Sequence, residues 1–231
     1  MRKAVTILGV LAVALLVNTA SANFFENFDS YAAGSNMHGQ GGWKGWDNSA
    51  AAGALVSNAQ SFSAPNSVDI NGASDLVHEF SGYTAGTWTF SAQQFVPTTF
   101  TGQTYFILLN KYRDGGASDY DNWSTQLMFD ATGFVQSQSE NTQLPLIKGQ
   151  WVEVKVVIDL TLDNQKIYYG NQLLSNKSWT GGLSGGGVLD IAAVDLFANN
   201  ASTVYYDNVS ITPEPATALL FVLALGLLRR R

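Results

Sequence analysis

Two stretches near the middle of the chain restrict its fold class more than any other feature. In residues 87–93 apolar and polar side chains alternate, so Trp88, Phe90 and Ala92 share one face and Thr87, Thr89, Ser91 and Gln93 the other. Residues 151–159 repeat the pattern, with Val152, Val154, Val156 and Ile158 on one side and Glu153 and Lys155 on the other. A period of two marks a half-buried strand. Residues 105–109 are apolar at every position, which predicts a central strand covered above and below.

Further strand signals occupy residues 24–29, 67–71, 76–80, 124–130, 134–137, 166–174, 189–197 and 203–212. Turn signals lie between or inside them: Asn71-Gly72, Asp114-Gly115-Gly116, Thr132-Gly133, Tyr169-Gly170-Asn171 and the glycine-rich residues 181–187. No long amphipathic helix interrupts the series, so the sequence predicts an all-β domain of two packed antiparallel sheets over residues 23–212. There is no cysteine, so no disulfide staples it.

Trp151 opens a Val-rich strand that ends at Asp159, and residues 167–174 read as a short hairpin with Gly170 and Asn171 in its turn. In this the chain resembles the concanavalin-A-like, laminin-G-like jelly-roll β-sandwiches. The opening segment, residues 24–29, and the closing segment, residues 205–211, are similar to the first and last strands of carbohydrate-binding jelly rolls.

Both ends of the chain read as targeting signals. Arg2 and Lys3 precede an apolar run over residues 4–17, and Ala20-Ser21-Ala22 supplies the small residues of a signal-peptidase site, with cleavage after Ala22. At the other end, Pro213-Glu214-Pro215 leads into an uncharged run over residues 216–228 and a terminal Arg229-Arg230-Arg231 cluster. Thirteen helical residues reach roughly 20 Å, short of a hydrocarbon core of about 30 Å. The basic cluster belongs on the cytoplasmic side. This tail resembles the PEP-CTERM sorting signal of Gram-negative bacteria. The resemblance implies transient anchoring in the inner membrane, cleavage by an exosortase and release to the cell surface or exopolysaccharide layer. A plain C-terminal anchor behind a Pro-rich hinge is the alternative.

Without the two targeting segments, residues 23–212 carry 7 Lys and Arg against 17 Asp and Glu, a formal charge of −10. Such a chain avoids nucleic acid and anionic lipid, and is suited to divalent cations or a polysaccharide matrix.

The search for catalytic spacing returns negatives. Gly182-Leu183-Ser184-Gly185-Gly186 satisfies G-x-S-x-G, but no strand-to-helix context surrounds it, and His38 and His78 both lie far upstream. Glu26, Glu79, Glu140 and Glu153 are isolated, so no strand carries paired carboxylates at alternating positions.

Two constellations stand out instead. Trp43, Trp46, Tyr112, Tyr120 and Trp123 lie in Gly- and Asp-rich segments, where exposed rings can stack on sugars; the alternative is that they close the ends of the sandwich. Glu26 shares strand parity with Phe24 and Phe28, and Asp207 with Tyr205, Val209 and Ile211. If those sides face inward, a shared Ca²⁺ between the first and last strands would neutralise both carboxylates; the alternative is that both reach solvent. No other cofactor is indicated.

The expectation is an exported, non-catalytic surface or matrix protein with weak affinity for exopolysaccharide, processed by signal peptidase and an exosortase-type enzyme. A structural surface protein without a ligand and a glycan-active enzyme of the jelly-roll class are the alternatives.

Overall fold

The structure is a computed structural model that describes residues 24–116 and 120–214. Fifteen strands, β1 (Phe24–Glu26), β2 (Trp43–Gly45), β3 (Leu55–Ser57), β4 (Ser67–Gly72), β5 (Asp75–Glu79), β6 (Thr87–Phe95), β7 (Gln103–Lys111), β8 (Asn122–Asp130), β9 (Phe134–Ser137), β10 (Thr142–Pro145), β11 (Trp151–Asp159), β12 (Asn164–Tyr169), β13 (Gln172–Lys177), β14 (Ala193–Asn199) and β15 (Ala201–Pro213), form two antiparallel sheets. The first runs β13-β12-β11-β6-β15-β4-β3, with β1 pairing β15; the second runs β10-β9-β8-β7-β14-β5-β2. This is the two-sheet β-sandwich the alternating strands predict. The segments expected to carry the N-terminal signal peptide, and the sorting tail beyond Glu214, lie outside the described residues.

Parity decides which side chains make the core. β6 and β11 pair directly, Phe90 opposite Val156 and Ala92 opposite Val154, and both bury every second residue. Burying each large aliphatic or aromatic side chain favours this register by about 1.5–3 kcal/mol, and a one-residue slip would expose the whole set. β7 is buried on both faces, as its unbroken apolar run predicts. Phe106 and Leu108 point into the main core, while Tyr105, Ile107 and Leu109 form a second apolar layer on the outer face of the second sheet. That outer layer is where the sandwich differs from a simple two-layer protein.

The first and last strands are neighbours, Phe24 opposite Ile211 and Glu26 opposite Val209. Glu26 and Asp207, the pair expected to share a Ca²⁺, have separate partners. β15 carries a bulge between Asp207 and Ser210, where Asn208 takes φ 47°, so the side-chain alternation shifts by one residue. Val209 and Ile211 enter the core, whereas Asp207 stays on the opposite side with Tyr205, beneath the segment that precedes β4. There its carboxylate accepts from the backbone N–H of Phe62 at 2.7 Å and of Ser63 at 2.9 Å, and from the Ser63 hydroxyl at 3.2 Å. Glu26 has separate partners, accepting from the Phe28 N–H and the Tyr31 hydroxyl, each at 2.8 Å. Protein donors satisfy both groups. Among the described residues, no cluster of three or more His, Asp or Glu side chains could hold a metal ion.

Candidate functional site

The outer face of the second sheet is crossed by a row of side chains set by strand register. Asp195 of β14 lies opposite Val77 of β5 on one side and Ile107 of β7 on the other, and Ile107 lies opposite Gln126 of β8. One step along, Asp75 of β5 lies opposite Phe197. Asp75 and Asp195 are therefore diagonal neighbours on one face, close enough for long side chains to meet. Their carboxyls hydrogen-bond to each other.

Two carboxylates in such contact cannot both be charged at low cost, so they share a proton. Asp195 is only 3 % exposed, and burial, then the charge of Asp75, push its pKa well above the usual carboxylate range. Burial also raises Asp75; the hydrogen bond from Asp195 works against this, and the nearby charge of Asp47 adds to it. The resulting arrangement is a protonated Asp195 donating to Asp75. The Oδ1 atoms of both residues are buried without a hydrogen-bond partner.

The pair lies at the floor of a groove of about 360 Å³, within the range of small-ligand sites. Trp46 and Trp123 wall it, with near-parallel rings at 13° and centroids 6.3 Å apart. Trp46 begins a single 3-10 turn after β2, and Trp123 stands on β8 beside a register shift against β7. Leu183 and Ser184 of the glycine-rich segment supply another part of the wall. That segment is held in place by a backbone hydrogen bond from Leu183 to the Trp123 carbonyl at 2.8 Å. At Gly182 a Cβ would come within 2.0 Å of the same carbonyl oxygen, so the approach needs glycine. Ser184 has neither the strand-turn-helix setting of a nucleophile elbow nor a His partner, since His78 packs against Trp43 and Phe80 in the interior.

Farther along β5 a second pocket of about 330 Å³ is lined by Glu79, Tyr112, Tyr120 and Asp190. Glu79 lies four residue steps along β5 from Asp75, about 13 Å. Between the two pockets, the Tyr112 ring meets Trp46 edge-on at 4.9 Å, and its hydroxyl donates to Asp114 at 3.1 Å while accepting from the Asp47 N–H at 3.1 Å. Lys44 is paired with Glu79 and Asp114. Burial pulls the Lys44 pKa down, but the two acids outweigh it and hold the amine above its ordinary value.

Of the five aromatic candidates, the structure thus brings Trp46 and Trp123 together at the groove and sets Tyr112 and Tyr120 in the second pocket, Tyr112 edge-on to Trp46 and Tyr120 under the Arg113 guanidinium at 4.1 Å. Trp43 is the exception. It is 1 % exposed and packs against Phe28 and His78 in the core, so it closes the sandwich and touches no ligand. The Asp75–Asp195 pair was not found by spacing, because its members stand on different strands. One signal for it exists in the sequence: Asp195 is the lone charge in the apolar run over residues 191–198.

No family model and no curated protein sequence matches the chain. Solved structures do. An alginate lyase, Aly36B, determined with an alginate tetrasaccharide, superposes with a TM-score of 0.56 at 14% identity, over 83% of this chain and 97% of the lyase. A sialidase gives a TM-score of 0.56 at 8% identity over 84% of this chain, which spans only 18% of that protein's length. The globular domain of T. cruzi calreticulin gives 0.54 at 10% identity, over 86% of this chain and 90% of the domain. At these identities the likeness is one of fold. It corrects the expectation of a protein without catalysis: the same sandwich is found in a lyase and a sialidase, so isolated Glu residues and an upstream His pair are no ground for excluding an enzyme.

Proposed function

We propose that this is an exported glycan-active enzyme with a concanavalin-A-like jelly roll, which acts on a surface or matrix polysaccharide in the groove above Asp75 and Asp195. The single observation that carries the reading is the proton-sharing carboxyl pair on the floor of a groove walled by two Trp rings. A sugar ring lying on Trp46 or Trp123 buries its C–H face there, while its glycosidic oxygen reaches the pair. Asp195, held above the ordinary carboxylate range by burial and by the charge of Asp75, is the member of the pair that keeps the proton and is the general acid for the leaving oxygen. Asp75 is the ionised partner that stabilises positive charge developing on the sugar ring until a water molecule bonds to the ring carbon and gives its proton to Asp75, so the net reaction is hydrolysis. The second pocket, roughly 13 Å along β5, extends the contact to neighbouring sugars, so affinity grows with chain length. The sialidase and alginate lyase that share the fold act on glycans, in keeping with this reading.

The exported location rests on the terminal signals: a signal peptide cut after Ala22, and a Pro213-Glu214-Pro215 sorting motif with its Arg229-Arg230-Arg231 end, cleaved by an exosortase at the inner membrane.

The test is release of reducing ends from a panel of bacterial and plant polysaccharides by purified residues 23–212. The reading expects product from at least one polymer. Asp195→Asn should lower the rate by about 10²–10⁴, the usual contribution of a general acid, and Trp123→Ala should chiefly raise KM. Product formation unaffected by Asp195→Asn, or none from any polymer, overturns it.

A further inference from the structure

The charge lining the groove identifies the class of sugar it takes. Its ionisable walls are all acidic: Asp75 and Asp195 line it, and no Lys, Arg or His does. Asp47 adds a third negative charge close enough to act on Asp75. Of the bases on neighbouring segments, Lys44 is shared between Glu79 and Asp114, and Lys111 donates to the Gly186 carbonyl at 3.1 Å. A uronic acid would bring another carboxylate to a site whose buried oxygens are already acceptors, with no cation to receive it. A neutral sugar could donate hydroxyl hydrogens there but would leave the negative charge uncompensated. An ammonium group both donates and compensates: it offers N–H donors and a positive charge to the carboxyl pair that lines the groove, and the same charge to the indole faces beside it.

On this basis we infer that the groove binds a glycan bearing free amino groups, a polymer of de-N-acetylated hexosamine, with one ammonium seated on Asp75 beside the stacked Trp46 and Trp123 rings. Asp195, 3 % exposed, keeps its proton for the glycosidic oxygen. The inference rests on the glycan-active reading above and narrows it. It also separates this chain from the alginate lyase of similar fold, whose bound tetrasaccharide is anionic.

The experiment compares three hexasaccharides at pH 5.5 and low salt by calorimetric titration: glucosamine oligomer, its fully N-acetylated form and an alginate oligomer. The glucosamine oligomer should bind at least tenfold more tightly than the acetylated one. That preference should shrink as salt is raised and disappear in Asp75→Asn, while Trp46→Ala weakens both neutral and cationic ligands. Equal or tighter binding of the acetylated oligomer, still lost in Trp46→Ala, overturns the amine assignment and leaves the groove a glycan site. Preference for alginate overturns it as well. Binding of none of the three, or binding indifferent to Trp46→Ala, removes the glycan reading of the groove together with the inference.

Discussion

Replacing Asp195 by Asn tests the buried proton directly, because it should make the protein more stable while removing its chemistry. Burial and the charge of Asp75 hold Asp195 far above the ordinary carboxylate range in the folded chain, whereas in the unfolded chain an Asp titrates near 3.9. From about pH 4 up to the folded pKa, the native state therefore binds a proton that the unfolded state has released. Stability falls as pH rises through that window, by up to about 1.4 kcal/mol per pH unit for one proton. For a domain of this size that is roughly 3–6 °C of Tm per pH unit. The Asp195→Asn amide still donates to Asp75 but has no proton to lose. Wild type and variant should melt together near pH 4 and diverge as pH rises toward the folded pKa of Asp195, the variant melting higher. Asp75 shares the proton of the pair, so its titration is part of the difference; the shifted carboxyls outside the pair, Asp69, Asp190 and Asp207 raised by burial and Asp130, Glu140 and Asp163 lowered by their hydrogen bonds, titrate in both proteins and cancel. The assay is scanning calorimetry from pH 4 to 8 at fixed ionic strength. Parallel curves, or a variant that melts lower at neutral pH, would refute a proton held by the pair.

Trp43→Ala should cost about 3–5 kcal/mol in urea unfolding, the range for deleting a buried aromatic ring, while the partly buried Trp46→Ala costs less and acts mainly on ligand binding. Asp207→Ala strands the N–H groups of Phe62 and Ser63, and should destabilise by about 1–3 kcal/mol, by the same amount with calcium as with chelator. An intact mass of the secreted form that begins near Asn23 and ends near Pro213 is expected from the two terminal signals; a membrane-bound product retaining residues 216–231 would contradict the sorting assignment.

What the sequence made legible follows from periodicity. β6 and β11 alternate cleanly because one face of each is core and the other is not, and the turn at Gly170 separates β12 from β13 as its residues require. β2, β3 and β10 are only three or four residues long, too short for any alternation to show. The parity argument for Asp207 failed at a single residue, since an Asn at φ 47° inserts a bulge that no strand pattern announces. The carboxyl pair failed for a different reason. Asp75 and Asp195 meet only through the pairing of β5 with β14, and a search along one strand cannot see a diagonal across two. Trp46, Tyr112 and Trp123 were visible as aromatic residues in loop-like segments, but Trp43 had the same signature and went to the core, because whether a ring turns in or out there depends on tertiary packing.

The central claim is that the groove beside Asp75 and Asp195 is where this protein meets a glycan, and its six Trp indoles give six independent reporters of that place. In ¹⁵N-labelled protein titrated with glucosamine hexasaccharide, the indole N–H resonances of Trp46 and Trp123, assigned by single substitution, should shift in step with saturation. Those of Trp43, Trp88, Trp151 and Trp179 should stay where they are. Shifts centred on Trp151 at the other sheet, or a saturated protein whose Trp46 and Trp123 signals have not moved, would contradict the account.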